Sequence, residues 1–426
     1  MSIELVRRWG PWVALAVAAV AYYPRFIKFP NGMTLYPQAA ECMRMNEIMR
    51  HCSYDFTYPP AFGYLMTPFV PMPIELRNLV WYALTLGAMV VSCWLCENLA
   101  RRLYPGPWTQ RELVWLRVAS LLLSAKFMLA VLENQAYDAL PLLLVLGGIF
   151  WLSTGRPLTA AASLGLAAAI KATPLIFLPY LLLKRRFLAA ACFVVVVVIV
   201  SILPDLFYAP KGAEHGYLGT WIREIASPSL RDVEWEAPNH FWAGRNFLNH
   251  SLRGLVARAM DEYANPTLFK AVLHLTWLAF AAVLGFLLLK SPRRDEFVAV
   301  DGALLLIATL MLSPMTSRSH YIVLLLPYYV LVAAVIRGAS MRRVGGLALV
   351  ASFVLLTATS NDVVGRRVTE WAYQTGQLVI GALVLMVGVA AIVLRRSLID
   401  DLSDVEPVSA CARRAAMRPR SSTRPR

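Results

Sequence analysis

The chain has 426 residues, of which 58% are hydrophobic and only 16% are charged, and its mean hydropathy is +0.56. In soluble domains about a quarter of the residues are charged, so this composition excludes an ordinary soluble globular protein. Apolar runs too long for core helices recur along the chain, and backbone that faces lipid must satisfy its own hydrogen bonds. We therefore predict an all-α polytopic membrane protein in contact with the lipid bilayer.

The formal net charge of +15 would also suit a nucleic-acid-binding protein. Lys and Arg, however, cluster in the short connections between apolar runs and in the tail, as the positive-inside rule requires of a membrane protein. We predict no nucleic-acid partner.

The first apolar run covers residues 11–29 and follows Arg7 and Arg8, and no small-residue cleavage site comes after it. It is interpreted as a membrane helix that starts in the cytoplasm, not as a cleavable signal. The next segment, residues 30–75, is too polar to span a bilayer and is predicted to be the first extracytoplasmic loop.

This first loop concentrates groups that can carry chemistry. It contains the carboxylates Glu41 and Asp55 and the turn Thr57-Tyr58-Pro59-Pro60, in which two prolines fix φ and bias Tyr58 toward extended backbone. The turn is either a stiff start to a membrane helix or a support that presents Asp55 and Tyr58 to a cavity. Residues 36–49 are predicted to form an interfacial helix, and residues 61–72 a short re-entrant or interfacial one.

The cysteines divide by location. Cys42 and Cys52 share the first loop, on the side of the membrane where disulfides persist, so a disulfide is favoured over two free thiols. Cys93 and Cys96 lie within an apolar run, where packing is a better interpretation than redox or zinc chemistry. The sequence has neither a metal-spaced His/Cys cluster nor a glycine-rich nucleotide loop, so we predict no metal and no other cofactor.

The remaining apolar runs predict about twelve spans in total, each needing roughly 20 residues. Lys171 divides one of them into two short halves. Residues 1–396 are predicted to form one transmembrane domain with a second large loop over 204–266, and residues 397–426 a disordered cytoplasmic tail. The further spans are predicted at 76–97, 113–132, 136–153, 158–183, 189–203, 271–289, 298–312, 321–335, 345–359 and 376–394.

The basic clusters give the orientation. With a cytoplasmic N-terminus they all fall on the cytoplasmic side. The first loop, the helical hairpin tip Glu133-Asn134-Gln135, the loop 204–266 and residues 313–320 then share the extracytoplasmic face. The clusters are Arg101-Arg102, Arg156, Lys184-Arg185-Arg186, Arg293-Arg294, Arg342-Arg343 and Arg395-Arg396.

Charged groups at the membrane boundary are the other candidates. Lys171 lies deep in an apolar segment, where a charge is functional by default, and it could bind a lipid phosphate or extend to the interface. His320, beside Arg318, is either a satisfied structural residue or a phosphate ligand. The stretch 244–252 holds Arg245, Asn249 and His250, which suit sugar hydroxyls but also match ordinary loop composition.

Taken in order, these motifs resemble glycosyltransferase family 87. The resemblance implies a GT-C-like bundle with an extracytoplasmic catalytic loop, in a bacterial-type inner or plasma membrane. It implies an inverting mannosyltransferase of the cell envelope that takes a hexose, commonly mannose, from a polyprenyl-phosphate donor to a lipid or glycan acceptor. The motifs are Tyr36-x-x-Ala39-Ala40, Thr57-Tyr58-Pro59-Pro60, Asn134-Gln135, Lys171-x-x-Pro174, Asn249-x-Ser251-Leu252 and Ser313-Pro314 followed by His320.

The resemblance also implies site residues. The residues of this chain expected to bind substrate are Tyr36, Tyr58, Asn134, Gln135, Lys171, Arg245, Asn249, His250, Arg318 and His320.

One feature departs from the family pattern. The family places an aspartate, the general base, a few residues before the tyrosine of the Ala-Ala helix, and here residues 31–35 contain no carboxylate. An amide cannot replace a general base. Glu41 and Asp55 are the available substitutes, and Asp55 is favoured because it adjoins the rigid turn.

Two other functions stay open at this point. A flippase or transporter of lipid-linked sugars would share the spans and the basic cavity, but it would not need an outer carboxylate and would more often show internal repeats. The missing family aspartate also permits a non-catalytic membrane partner in a glycan-assembly complex.

Overall fold

The structure is a computed structural model that describes residues 17, 19–28, 32–53, 55–212, 214–231, 244–260 and 264–395. Part of the predicted first span and the whole predicted tail, residues 397–426, lie outside these residues. Within the described part of the chain every regular element is a helix, in agreement with the predicted all-α class.

We number the helices in chain order. They are α1 (19–27), α2 (Gly32–Arg44), α3 (Met49–Cys52), α4 (Pro60–Leu65), α5 (Ile74–Leu103), α6 (Gln110–Glu133), α7 (Ala139–Ser153), α8 (Pro157–Ile170), α9 (Phe177–Leu183), α10 (Phe187–Phe207), α11 (Gly216–Trp221), α12 (Ser227–Arg231), α13 (Leu252–Ala259), α14 (Pro266–Lys290), α15 (Val298–Leu312), α16 (Leu325–Arg337), α17 (Arg342–Phe353), α18 (Asn361–Gln374) and α19 (Gln377–Arg395).

Among the described residues, 6 helices are long and apolar enough to cross a membrane, or up to 7 if the bent pair Arg342–Ala358 and Val363–Gln374 is one span. They are α5, α6, α10, α14, α19 and the segment Arg318–Arg337 that contains α16. Helices α7 and α8 are apolar but short, with 15 and 14 residues. At about 1.5 Å per residue neither reaches across a hydrocarbon core of roughly 30 Å. The count of about twelve spans therefore stays a prediction.

The break at Lys171 is present where the sequence predicts two short halves. Helix α8 ends at Ile170, Lys171 has extended backbone, and a 3-10 turn over Thr173–Ile176 leads into α9. Pro174 explains the interruption, because proline lacks an N–H and its ring clashes with the carbonyl four residues earlier. That carbonyl belongs to Ile170.

The connections predicted to be cytoplasmic meet at one end of the bundle, which we call the basic end. Arg337, the last residue of α16, pairs with Glu112 in the first turn of α6 at 3.1 Å. Arg186, before α10, pairs with Asp295, between α14 and α15, at 2.9 Å. These pairs bring sequence-distant connections to the same end.

The predicted extracytoplasmic segments meet at the opposite end, which we call the loop end. Trp81 donates its indole N–H to the carbonyl of Gln135 at 2.9 Å, joining α5 to the hairpin tip. Trp221 donates to the carbonyl of Thr57 at 3.0 Å, joining the loop 204–266 to the first loop. Pro204, the predicted start of that large loop, still lies inside α10.

The helix of the first loop differs from its predicted range. It begins at Gly32, four residues before the predicted start at 36, and it ends at Arg44 rather than at 49. Asn46 adopts a left-handed conformation, φ 57°, which a helix cannot continue through. A disulfide joins Cys42 to Cys52 with their Cα atoms 5.8 Å apart, and so ties the end of α2 to α3.

We expect removal of this disulfide by Cys42→Ser with Cys52→Ser to lower the stability of the fold. A bridge that closes a short loop stabilises by about 2–4 kcal/mol, because it constrains the unfolded chain. Thermal unfolding of the purified variant in detergent measures the loss, with Cys192→Ser, a free cysteine on α10, as control. Labelling of both first-loop cysteines by a membrane-impermeant maleimide without prior reduction would contradict the disulfide.

Candidate functional site

A cavity open to solvent lies where α7, the break between α8 and α9, and the connection between α15 and α16 approach one another. Its empty space is about 470 Å³, including the open solvent at its mouth. Most of its lining is apolar. Its lining residues with titratable side chains are Asp138, Lys171 and His320. The cavity thus joins the two residues that the sequence assigns to a phosphate, Lys171 and His320, to a carboxylate.

Lys171 and Asp138 form an ion pair inside the protein. Their side chains are 15% and 5% exposed. The Lys171 ammonium also lies 5.2 Å from the centroid of the Tyr137 ring, a cation–π contact. The side chain therefore points toward Asp138 and Tyr137 inside the bundle.

His320 presents a fixed ring nitrogen to the same carboxylate. The backbone N–H of Ser317 donates to His320 Nδ1 at 2.8 Å, so the neutral ring carries its proton on Nε2. His320 Nε2 lies 3.6 Å from Asp138 Oδ1. The imidazole can therefore offer an N–H donor at the cavity wall.

A group of three tyrosines joins the first loop to Asp138. We call this group, Tyr36, Tyr58 and Tyr137, the tyrosine wall. The Tyr58 ring centroid lies 4.7 Å from that of Tyr137 and 5.7 Å from that of Tyr36. Burial raises the pKa of Tyr36 and of Tyr58, and the charge of Asp138 acts in the same direction on both. Both phenols therefore keep their protons and can serve as hydrogen-bond donors.

The hairpin tip is anchored through Gln135, which is fully buried. Its Oε1 accepts from the backbone N–H of Met33 at 3.0 Å, and its Nε2 donates to the carbonyl of Phe26 and to Asn78 Oδ1, each at 3.2 Å. The structure thus uses this side chain for packing at the loop end, although the sequence assigns it to substrate. Its neighbour Asn134 is half-buried and donates to Ser319 Oγ at 2.9 Å.

Gly32 lies within residues 31–35, the segment in which the family aspartate is expected, and packing leaves no room for a side chain there. A Cβ added to Gly32 would lie 2.2 Å from the carbonyl oxygen of Gln135. Helix α2 therefore begins so close to the hairpin tip that no side chain fits at Gly32 without a shift. This contact gives a physical reason for the absence of a carboxylate at Gly32.

The two substitute carboxylates lie at the surface. Glu41, on α2, and Asp55 are both exposed, and neither lines the cavity. Asp55 is close enough to Tyr58 for its charge to help raise the pKa of that phenol. Asp55 is therefore adjacent to the tyrosine wall.

The segment 244–251 packs on the connection between α15 and α16. Asn249 is fully buried, and its Oδ1 accepts from the N–H groups of Ser251 at 3.3 Å and Thr316 at 3.2 Å. His250 is 1% exposed, and burial, reinforced by the charge of Arg258, lowers its pKa well below the usual value. The Asn249 side chain thus holds this segment in place, and the backbone N–H of His250 adds a hydrogen bond to the carbonyl of Thr316 at 2.7 Å.

The two arginines assigned to substrate differ in exposure. Arg245 is exposed and Arg318 is half-buried. The charge of Arg318 also helps to lower the pKa of His250, which places it near the buried segment. Neither arginine lines the cavity.

Asp138 is a cavity-lining residue that is absent from the sequence-based predictions. It lies three residues after the predicted hairpin tip, at the start of an apolar helix. A charge in an apolar run is functional by default, and the same rule that selects Lys171 applies to it. The rule names the residue, but only the structure shows that the two charges face each other.

Comparison with known proteins identifies the family of the chain. A search of curated proteins gives no match. The family model described as glycosyltransferase family 87 matches residues 56–314, which is more than half of the chain and includes Asp138 and Lys171. The chain therefore belongs to glycosyltransferase family 87.

Proposed function

We propose that this membrane glycosyltransferase transfers a hexose, mannose in the first instance, from a polyprenyl-phosphate donor to a hydroxyl of a lipid or glycan acceptor, with inversion. The observation that carries the proposal is the pairing of an ammonium and an imidazole N–H at one cavity among apolar helices. A polyprenyl phosphate needs both features, because its charged head and its apolar tail belong to one molecule.

The donor phosphate is assigned to Lys171 and His320. Lysine binds phosphate as a compact point charge, and His320 Nε2–H adds a directional donor. A lipid phosphate is already a good leaving group, so these two groups need only stabilise the charge that develops on it. The apolar lining of the cavity suits the adjacent part of the lipid.

We assign the acceptor hydroxyl to the side of the tyrosine wall that lies away from the cavity. Inversion by a single displacement requires attack from the face opposite the leaving phosphate. Asp55 adjoins Tyr58 and lies outside the cavity that holds Lys171, which suits a base for that attack. Glu41 is the alternative base.

The reaction is placed on the extracytoplasmic side. The basic end of the bundle carries the arginine and lysine clusters, and such clusters stay in the cytoplasm. The tyrosine wall, Asp55 and the hairpin tip belong to the loop end, which then faces outward.

The proposal is tested with purified protein in lipid nanodiscs, polyprenyl-phosphate mannose as donor, and an extract of membrane lipids as acceptor. We expect release of polyprenyl phosphate that depends on the acceptor and on the protein. Donor that crosses the bilayer of proteoliposomes without release of phosphate would instead indicate a flippase. Absence of release with every hexosyl donor would contradict the proposed reaction.

Replacing Lys171 by Met should raise the apparent donor KM and lower kcat, because the donor phosphate loses its cation. The matched control is Lys211→Met, since Lys211 forms an exposed pair with Glu47 at 3.6 Å, outside the cavity. Initial rates at varied donor concentration measure both constants. Wild-type kinetics for the Lys171 variant would return this residue to a structural role.

Asp55→Asn should lower kcat by at least ~10², the usual contribution of a general base, while donor binding and folding stay intact. Glu41→Gln is the companion variant. An active Asp55→Asn protein together with an inactive Glu41→Gln protein would identify Glu41 as the base. Full activity in both would show that neither carboxylate takes the acceptor proton.

A further inference from the structure

Asp138 is a buried carboxylate that the reaction proposed above does not use. Its Oδ1 is the atom that faces both Lys171 Nζ and His320 Nε2. The other titratable groups around it belong to the tyrosine wall: Tyr137 is its chain neighbour, and its charge acts on Tyr58 and Tyr36. The two side chains assigned to the donor phosphate, Lys171 and His320, thus share one anionic partner.

We propose that Asp138 is a positioning residue, whose carboxylate holds the Lys171 ammonium and the His320 N–H at the place where the donor phosphate binds. The inference rests on the proposed donor class. It adds that the phosphate site is a preassembled arrangement of three side chains, of which only two contact the phosphate.

The energetics of buried charge support this role. An ammonium that is 15% exposed among apolar helices needs a counter-charge, or its long side chain turns toward water. Asp138 supplies that counter-charge from a fixed position at the start of α7. The phosphate then meets a cation that is already oriented, which lowers the ordering cost of binding.

Geometry argues against a role for Asp138 as the general base. Its Oδ1 lies beside the two groups assigned to the leaving phosphate. Inversion places the incoming hydroxyl on the opposite face of the sugar. A carboxylate on the leaving-group side is therefore on the wrong face to take the acceptor proton.

A positioning role predicts an unusual double-mutant result. Asp138→Asn should weaken donor binding on the order of tenfold, because Lys171 loses its orientation. Lys171→Met should weaken it more, because it removes the cation and leaves the Asp138 charge facing the phosphate. The double variant should bind better than Lys171→Met alone, since the repelling carboxylate is gone as well.

The measurement is the Kd of a short-chain polyprenyl phosphate for the purified full-length proteins, followed by donor KM and kcat for the same set. Asp138→Glu is the conservative variant and should recover most of the binding. Asp301→Asn is the matched control, because Asp301 forms a buried pair with Lys184 at 3.0 Å, with side chains 2% and 6% exposed, near the basic end. Its Kd for polyprenyl phosphate should equal that of the wild type.

Three outcomes would overturn the role of Asp138. One is a double variant whose loss is the product of the two single losses, because Asp138 would then act independently of Lys171. The second is an Asp138→Asn protein with wild-type Kd and no turnover, which would make Asp138 the base. The third is an Asp138→Asn protein with wild-type Kd and wild-type turnover.

If Asp138→Asn does not fold, the comparison of Lys171→Met with the double variant still decides, because these two proteins differ only at Asp138. A double variant that binds no better than Lys171→Met would overturn the role. Wild-type protein that binds no polyprenyl phosphate would contradict the donor class itself. If the wild type binds the lipid and an Asp138 variant binds it equally well, the role of Asp138 is contradicted and the donor class is not.

Discussion

Charge buried among apolar helices has to be paired, and in this protein the pairing occurs where the helices are interrupted. Lys171 stands between α8 and α9, and Asp138 stands directly before α7. Neither residue is held inside a continuous helix, so both side chains can turn toward the cavity between them. The cost of burying the two ions is offset by their mutual attraction, and the result is a polar centre inside an otherwise apolar bundle.

The rest of the loop end is arranged around this centre. The tyrosine wall carries the first loop up to Asp138, and Gln135 fixes the start of α2 and the hairpin tip against each other. The connection between α15 and α16 brings His320 from the other direction, and the buried Asn249 supports this connection. Sequence-distant segments thus contribute one or two residues each. Such contributions from several segments are typical of a functional site held on a rigid scaffold.

Local chemistry made part of this arrangement predictable from the sequence. Pro174 predicts a break beside Lys171, and the apolar run 298–312 predicts a helix with the bounds that α15 has. The pairing of Asp138 with Lys171 could not be predicted in the same way. It depends on how α7 packs against α8, and hydropathy reports the length of an apolar run but not which faces meet.

Other differences have the same origin. The run 136–153 has the length of a span, but its first residues belong to the turn that delivers Asp138, and the helix that remains is short. Likewise, the family resemblance assigns Gln135, at a predicted hairpin tip, to substrate. Only the contacts with Met33, Phe26 and Asn78 reveal that its amide is already fully engaged.

The close approach of Gly32 to the carbonyl of Gln135 limits which residues position 32 can hold. Even the methyl group of an alanine would collide with the backbone of the hairpin tip, so a larger side chain requires α2 and the tip to move apart. Such a movement would disturb the hydrogen bonds that Gln135 accepts from the backbone N–H of Met33 and from the indole of Trp81. Position 32 therefore has the mutational tolerance of a close helix contact, although it lies in a polar loop.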